Sequence, residues 1–324
     1  MLNVLIVGCG NIAGGFDQDR PQSDTPFTHA GAYTRHGGFT VTACVEPDAV
    51  RREAFMRRWA VPRGFSSMQE VLQAGLHFDV VSICSPTAAH GDDALTALQL
   101  HPRLIFCEKP LTTSAADTAV LTARCAEAGM LLAVNYIRRW DPEVMQLAQQ
   151  LRNGVWGAVR AASGWYNKGV LNNGSHMIDL LYLLLGELEV CHVGPGMHDL
   201  LPDDPSLPAL LRAAGDIPVQ LNCGHAGDYS LFELQLVTER GVIAIEEGGL
   251  QWRLRPAVES PNFRGYRSLG ADQRRPGGVG QAMLAAVGQI HDVLHQGGTL
   301  SSTGENALQA QRICEALRGR ALAT

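Results

Sequence analysis

At 324 residues the chain is long enough for two domains of ordinary size, each burying its own core. Its 46% apolar and 18% charged content is that of a globular protein and excludes a disordered or fibrous one. A net charge of -6 gives no electrostatic ground for a nucleic-acid or acidic-membrane partner, and no window approaches the ~18 uncharged apolar residues of a membrane span.

In chain order, Leu2–Val7 is a continuous apolar run ending in glycine, the pattern of a buried parallel strand. Further strands are predicted at 40–45, 80–84, 104–107 and 131–134, with helices at 49–59, 88–98 and 115–128 between them. That alternation predicts a parallel sheet with right-handed crossovers. Residues 17–28, rich in Pro, Asp and Ser, interrupt the first crossover and read as a surface loop. After Tyr136 the texture changes. Helices are expected at 141–153 and 174–185 and a strand at 158–166. Strands at 219–223, 230–237, 242–246 and 250–254 follow without intervening helices, which predicts a mostly antiparallel sheet. Helices at 279–296 and 303–318 close the chain. The expected class is α/β: residues 1–135 as a doubly wound dinucleotide-binding domain, and 136–324 as a domain for substrate and oligomerisation.

The cysteines (Cys9, Cys44, Cys84, Cys107, Cys125, Cys191, Cys223 and Cys314) are scattered, without the short spacing of a zinc or redox site. Reduced thiols and a cytoplasmic location are expected, and Met1–Val7 lacks the basic leader of a signal peptide. No metal site is expected: His176 and Asp179 would supply two ligands, with no third at readable spacing.

The segment Gly8-Cys9-Gly10-Asn11-Ile12-Ala13 comes straight off the first strand. Glycine at 8 permits a tight turn and glycine at 10 a close approach to a pyrophosphate; a following helix would point its unpaired N–H groups at the phosphates. Strand-to-helix turns also use glycine structurally, but a position at the very start of a βαβ alternation favours a cofactor. Glu46, at the end of the second strand, would bond the adenosine ribose hydroxyls and repel a 2'-phosphate, favouring NAD over NADP; Arg51 and Arg52 pull the other way. Asp48 reads as a cap of the next helix. Arg51, Arg52, Arg57 and Arg58 alternate with apolar residues, as on a solvated helix face.

Four more segments carry a specific likeness: Ser82-Ile83-Cys84-Ser85-Pro86-Thr87-Ala88-Ala89-His90, Cys107-Glu108-Lys109-Pro110-Leu111, Asn135-Tyr136-Ile137-Arg138-Arg139, and Asn173-Gly174-Ser175-His176-Met177-Ile178-Asp179. With the glycine turn they make the chain resemble the glucose–fructose oxidoreductase, inositol dehydrogenase and MocA family. The resemblance implies a Rossmann domain followed by a domain with an open, mainly antiparallel sheet. It further implies oxidation or reduction of an oxygen-bearing carbon on a sugar, polyol or sugar nucleotide, and a homodimer or homotetramer. Physically, Ser85, Pro86, Glu108, Lys109 and Asn135 all fall at carboxyl ends of strands, where such sheets bind ligands. His90 reads equally as a helix first-turn residue or a cofactor contact.

Hydride transfer from an alcohol needs a base for the hydroxyl proton and a positive group near the developing oxygen charge. The resemblance implies Lys109 for the second task and His176 for the first, since imidazole titrates in the right range. Asp179 shares a helix face with His176 and would orient it or meet substrate. The family commonly has aspartate four residues before this histidine, where this chain has Asn172; asparagine hydrogen-bonds a hydroxyl but carries no charge. Tyr136, Arg138 and Lys168 lie on the implied substrate side, though exposed Lys and Arg are usually only solvated. Two other readings keep the fold: reduction of an imine or activated double bond, which asks less of a paired base, and a cofactor-sensing regulator that performs no reaction. After residue 190 no motif is readable for function.

Overall fold

A computed structural model describes residues 1–20 and 24–322. Two compact units emerge: Met1–Trp140 with Gly280–Leu308, and Asp141–Val279 with the chain from Gln309 onward.

The first unit contains β1 (Leu2–Val7), α1 (His29–His36), β2 (Phe39–Val45), α2 (Ala49–Trp59), β3 (Gly64–Phe65), α3 (Met68–Gln73), β4 (Val80–Ile83), α4 (Thr87–Leu98), β5 (Leu104–Cys107), α5 (Ala115–Glu127) and β6 (Leu131–Val134). The strands form a six-stranded parallel sheet in the order β3-β2-β1-β4-β5-β6. This is the doubly wound arrangement, with strand order reversing between β1 and β4. The predicted strands lie where the apolar runs put them, because strands covered on both faces are apolar throughout; β4 and β5 are buried at every position. Helices begin where short polar side chains cap them: Asp48 Oδ1 accepts from Arg51 N at 2.8 Å, and Ser67 and Ser114 cap α3 and α5 in the same way.

Two features depart from the expectation. The first helix is split. Gly14 N and Gly15 N both donate to Gly10 O at 3.2 Å, making one irregular turn; the chain then leaves and returns at α1, where His29 N donates to Ile12 O (3.2 Å) and Ala30 N to Ala13 O (2.9 Å). The excursion is therefore looped out of a single helical path. Its two ends are not a surface loop: Asp17 is buried, and its Oδ2 accepts from Phe27 N (2.8 Å), Thr28 N (2.8 Å) and Thr28 Oγ1 (2.7 Å). Residues 21–23 of the predicted loop lie outside the described residues.

The helix Ala282–Gln296, expected in a domain running to the end of the chain, belongs to the first unit. Ala282, Met283, Ala286, Val287, Ile290 and Leu294 form one stripe and share a core with Tyr33 of α1 and Phe39 of β2. Burial of Met283, Val287, Ile290 and Leu294 contributes roughly 1.5–3 kcal/mol each, which fixes that stripe to this sheet face.

The second unit contains α6 (Pro142–Arg152), β7 (Val159–Tyr166), α7 (Ser175–Leu185), β8 (Leu188–Val193), β9 (Met197–Leu201), β10 (Asp204–Ser206), β11 (Ala209–Ala213), β12 (Ile217–Cys223), β13 (Phe232–Thr238), β14 (Gly241–Glu246), β15 (Gln251–Glu259), β16 (Arg267–Leu269) and β17 (Gln273–Pro276). A nine-stranded sheet runs β16-β15-β14-β13-β7-β12-β11-β8, with β17 also on β15. It is antiparallel except where β12 pairs parallel with β7, so it is mixed and mainly antiparallel. β9 and β10 form a separate hairpin. Among the described residues no helix is long and apolar enough to cross a membrane.

Candidate active site

The glycine turn lies at the reversal of strand order. Gly8 has φ +85°, and a Cβ there would sit 2.6 Å from Ser85 N and 2.7 Å from the Cys84 carbonyl, so the chain leaving β1 passes directly against the chain leaving β4. Gly10 is different. Its φ is not positive and a Cβ on it would meet nothing within 4 Å, so neither backbone nor packing asks for glycine. A vacant Cβ position in a turn at this point is what close approach of a dinucleotide phosphate requires. Asn11 is exposed and Ile12 half-buried in the same turn. Beside it a cavity of about 420 Å³ is lined by residues that include Gly10, Asn11, Gly14, Arg51, Phe55 and Trp59.

Glu46 is buried at the end of β2. Its Oε2 accepts from Cys9 N at 3.1 Å, bracing the turn, and its Oε1 from Asp48 N at 3.1 Å, with Arg51 at 3.4 Å. A carboxylate has lone pairs beyond these for ribose hydroxyls. Arg52 turns Nη1 to the main chain, donating to the carbonyl oxygens of Glu46 and Pro47.

The loops after β4 and β5 are tied together by His90, which is buried, with Nε2 2.8 Å from Ser85 O and Nδ1 2.8 Å from Pro110 O. Both oxygens only accept and a neutral imidazole carries one N–H, so His90 sits between the two loops and donates to one of the carbonyls at a time. Ser85 Oγ donates to Asp93 Oδ2 at 2.6 Å, and burial holds the Asp93 carboxyl above its ordinary range. Pro86, exposed, starts α4. The Lys109–Pro110 peptide is cis.

Glu108, buried at the end of β5, anchors a network. Its Oε1 lies 3.1 Å from His29 Nε2 and accepts from Asn135 Nδ2 at 2.6 Å; its Oε2 accepts from Lys109 N at 3.3 Å. Burial pushes this carboxyl upward, but the hydrogen bonds and charge of His29, with Asn135 and Lys109, outweigh it and hold Glu108 below the usual carboxylate range. Because an anionic Glu108 only accepts, Asn135 must turn its NH₂ toward it. Asn135 Oδ1 is thereby left as an acceptor, buried and without a hydrogen-bond partner among the described residues. Lys109 is half-buried, while Tyr136 and Arg138 are buried, so Arg138 is not the solvated surface arginine that its type suggests.

In the second unit, the segment between β7 and α7 is a wide helical turn over Gly169–Gly174, held by carboxylates from the β9–β10 hairpin. Asp204, buried, accepts from Leu171 N and Asn172 N, both at 2.9 Å; Asp199 accepts from Lys168 N at 2.8 Å and Ala226 N at 3.1 Å. Asn172 Nδ2 donates to Lys168 O at 3.1 Å, and Lys168 Nζ donates to Ser230 Oγ at 2.9 Å. In α7 Asp179 is buried and His176 half-buried, while Met177, Ile178, Leu181, Leu184 and Leu185 fill the core. Among the described residues no cluster of three or more His, Cys, Asp or Glu could hold a metal ion.

Comparison with known families adds to this geometry. Residues 2–136 match the model of the Gfo/Idh/MocA "oxidoreductase family, NAD-binding Rossmann fold". Residues 2–136 therefore carry the NAD-binding Rossmann domain of the Gfo/Idh/MocA oxidoreductase family. Two curated relatives from Escherichia coli are each 24% identical: a D-glucoside 3-dehydrogenase, matched over 78% of this chain and 69% of the relative, and a 2,7-anhydro-N-acetylneuraminate hydratase, matched over 70% and 67%. The WlbA dehydrogenase of Bordetella pertussis, solved with NADH and UDP-GlcNAcA, is 17% identical and superposes with a TM-score of 0.78 over 99% of this chain and 96% of its own, which shows a shared fold.

Several supporting residues were not singled out by the sequence: in the first unit His29 and Tyr33 act through buried contacts, and in the second Asp199 and Asp204 act through main-chain N–H groups.

Proposed function

We propose that this Gfo/Idh/MocA-family protein catalyses reversible hydride transfer between NAD and a secondary alcohol or ketone of a sugar, polyol or sugar nucleotide. The observation that carries the cofactor half is Gly10, a glycine that the fold itself does not need, in the turn at the strand-order reversal. The substrate class draws on the relatives, which are named for a glucoside and include a protein solved with a sugar nucleotide. When bound, the cofactor supplies the hydride acceptor or donor. The residues Gly8, Gly10, Asn11 and Ile12 would hold its pyrophosphate, Glu46 its adenosine ribose, and Asn135 Oδ1, with the Ser85–Pro86 loop, its other end. Glu46 braced against the turn, with Arg52 Nη1 turned to main-chain carbonyls, supports a preference for NAD over NADP.

Lys109 provides positive charge for the alcohol oxygen, and its backbone is held by Glu108. His176 takes the hydroxyl proton, with Asp179 as its orienting neighbour on the helix face. Asn172 contacts substrate as a neutral hydrogen-bonding group, and Tyr136, Arg138 and Lys168 flank it. The test is titration with NADH and NADPH, followed by a screen of polyols, sugars and sugar nucleotides for NADH formation. Lys109→Met is expected to abolish turnover while leaving NADH affinity within a few-fold; surviving turnover refutes the assignment of Lys109.

Asn172 favours a second reading, in which the same fold works on a double bond. A relative as similar as the dehydrogenase is named a hydratase. No NADH formation from any alcohol, with consumption of an unsaturated sugar, would select it.

A further inference from the structure

His29 is the first residue of α1, where the looped-out excursion rejoins its helical path. It is fully buried, its ring 6.5 Å from that of Tyr33 in the same helix and 4.5 Å from that of Phe106. The ring joins a chain of buried polar atoms: Tyr33 Oη lies 2.7 Å from Ser82 Oγ, Ser82 Oγ 3.3 Å from His29 Nδ1, and His29 Nε2 3.1 Å from Glu108 Oε1. Glu108 below the ordinary carboxylate range only accepts, so His29 Nε2–H donates to it; at the other end of the ring Ser82 Oγ bridges Nδ1 and Tyr33 Oη, hydroxyl and ring groups that can each donate or accept. Every link ends on the carboxylate that turns the Asn135 amide and accepts from Lys109 N.

We propose that His29 is a positioning residue for the cofactor site: by donating to Glu108 it keeps that side chain a pure acceptor, which presents Asn135 Oδ1 to the nicotinamide cofactor and fixes the main chain at Lys109. This rests on the cofactor reading above. The groups facing Glu108 are His29 from α1, Asn135 after β6, Lys109 on its own loop, and the thiols of Cys84 and Cys107, which burial keeps protonated. Without His29 the largest remaining influence is burial, and the carboxyl takes up a proton at higher pH than before. A protonated carboxyl donates as well as accepts, and the Asn135 amide then has no reason to keep one orientation.

The experiment is an NADH titration of the wild type and of His29→Leu and His29→Gln, at several pH values between about 5 and 8. Loss of a hydrogen bond to a buried charge predicts roughly ten-fold weaker NADH binding in His29→Leu at neutral pH, weakening further as pH falls. His29→Gln, whose amide keeps a donor toward Glu108, is expected to recover most of the affinity and the flat pH profile. Should His29→Leu not fold, Ser82→Ala, which removes the hydroxyl beside Nδ1 that orients the ring, is expected to show the same acid-side weakening on a smaller scale. Wild-type affinity and pH profile in His29→Leu, or in Ser82→Ala if only that variant folds, overturn the proposal and leave the cofactor reading standing. A His29→Gln variant as weak as His29→Leu, with an unchanged pH profile, reduces His29 to packing and also overturns it. A folded wild type that binds neither NADH nor NADPH overturns the cofactor reading itself.

Discussion

The two glycines of the phosphate turn separate fold from function, and alanine at each position tests that separation. At Gly8 the new Cβ would lie 2.6–2.7 Å from main-chain atoms of Cys84 and Ser85, which cannot swing aside as a side chain would. The backbone is also at φ +85°, where an L-residue costs roughly 1–2 kcal/mol. Overpacking against backbone adds about 1–3 kcal/mol. Gly8→Ala is thus expected to lose about 3–4 kcal/mol, a large part of the 5–15 kcal/mol typical of a whole domain. Gly10→Ala meets no atom and no forbidden φ, so its stability should stay within about 0.5 kcal/mol or rise slightly through a stiffer unfolded chain. Urea unfolding followed by tryptophan fluorescence measures both changes, and NADH titration of the same samples measures binding. Gly10→Ala should bind NADH at least about ten-fold more weakly despite its intact fold. Wild-type affinity in Gly10→Ala would refute the argument that the vacant Cβ position serves a ligand, and wild-type stability in Gly8→Ala would refute the close passage of the chain leaving β1 against the chain leaving β4.

Other expectations follow from buried carboxylates. Asp17→Ala strands the N–H groups of Phe27 and Thr28, so chemical unfolding should show a loss of about 3 kcal/mol. Asp204→Ala removes the acceptor for Leu171 N and Asn172 N; hydrogen exchange should speed up across 169–174 while NADH affinity is unchanged. Glu108 sits below the ordinary carboxylate range when folded, so its contribution to stability is present above the unfolded value and is lost as pH falls through the folded one. Thermal unfolding from about pH 6 down to 3 should therefore fall less steeply in Glu108→Gln than in the wild type; parallel curves would contradict the depressed value.

How much of this the sequence revealed depends on what kind of contact does the work. Five of the six strands of the first sheet were legible because burial writes itself as a continuous apolar run, whereas the two-residue edge strand β3, Gly64–Phe65, carries no such run and was not; Asp48 was legible as a cap because capping is local. The split first helix was not. Its periodicity is broken by the excursion, and the bonds from His29 and Ala30 back to Ile12 and Ala13 have no sequence mark. The stripe on Ala282–Gln296 was visible, but an apolar stripe does not say which core it will fill. Lys109, Glu108 and Asn135 stood out by their position at strand ends, whereas the buried chain through Ser82 and Tyr33 depends on side chains brought together across β4 and α1. Asp199 and Asp204 act on main-chain donors, and any acceptor in the right place would serve, so no motif marks them.

The return of the chain after Gly280 also bears on how the protein is made. The core beneath α1 needs Met283, Val287, Ile290 and Leu294, and these leave the ribosome long after Trp140. At about 5–20 residues per second, the nascent first unit waits on the order of ten seconds or more with Tyr33 and Phe39 uncovered. A chain halted at Trp140 is expected to bind hydrophobic dyes and holdase chaperones, and the full-length chain is not. Most of the dinucleotide-binding unit is synthesised before the second unit, yet vectorial synthesis gives it little head start: its core closes only once Gly280–Leu308 has emerged.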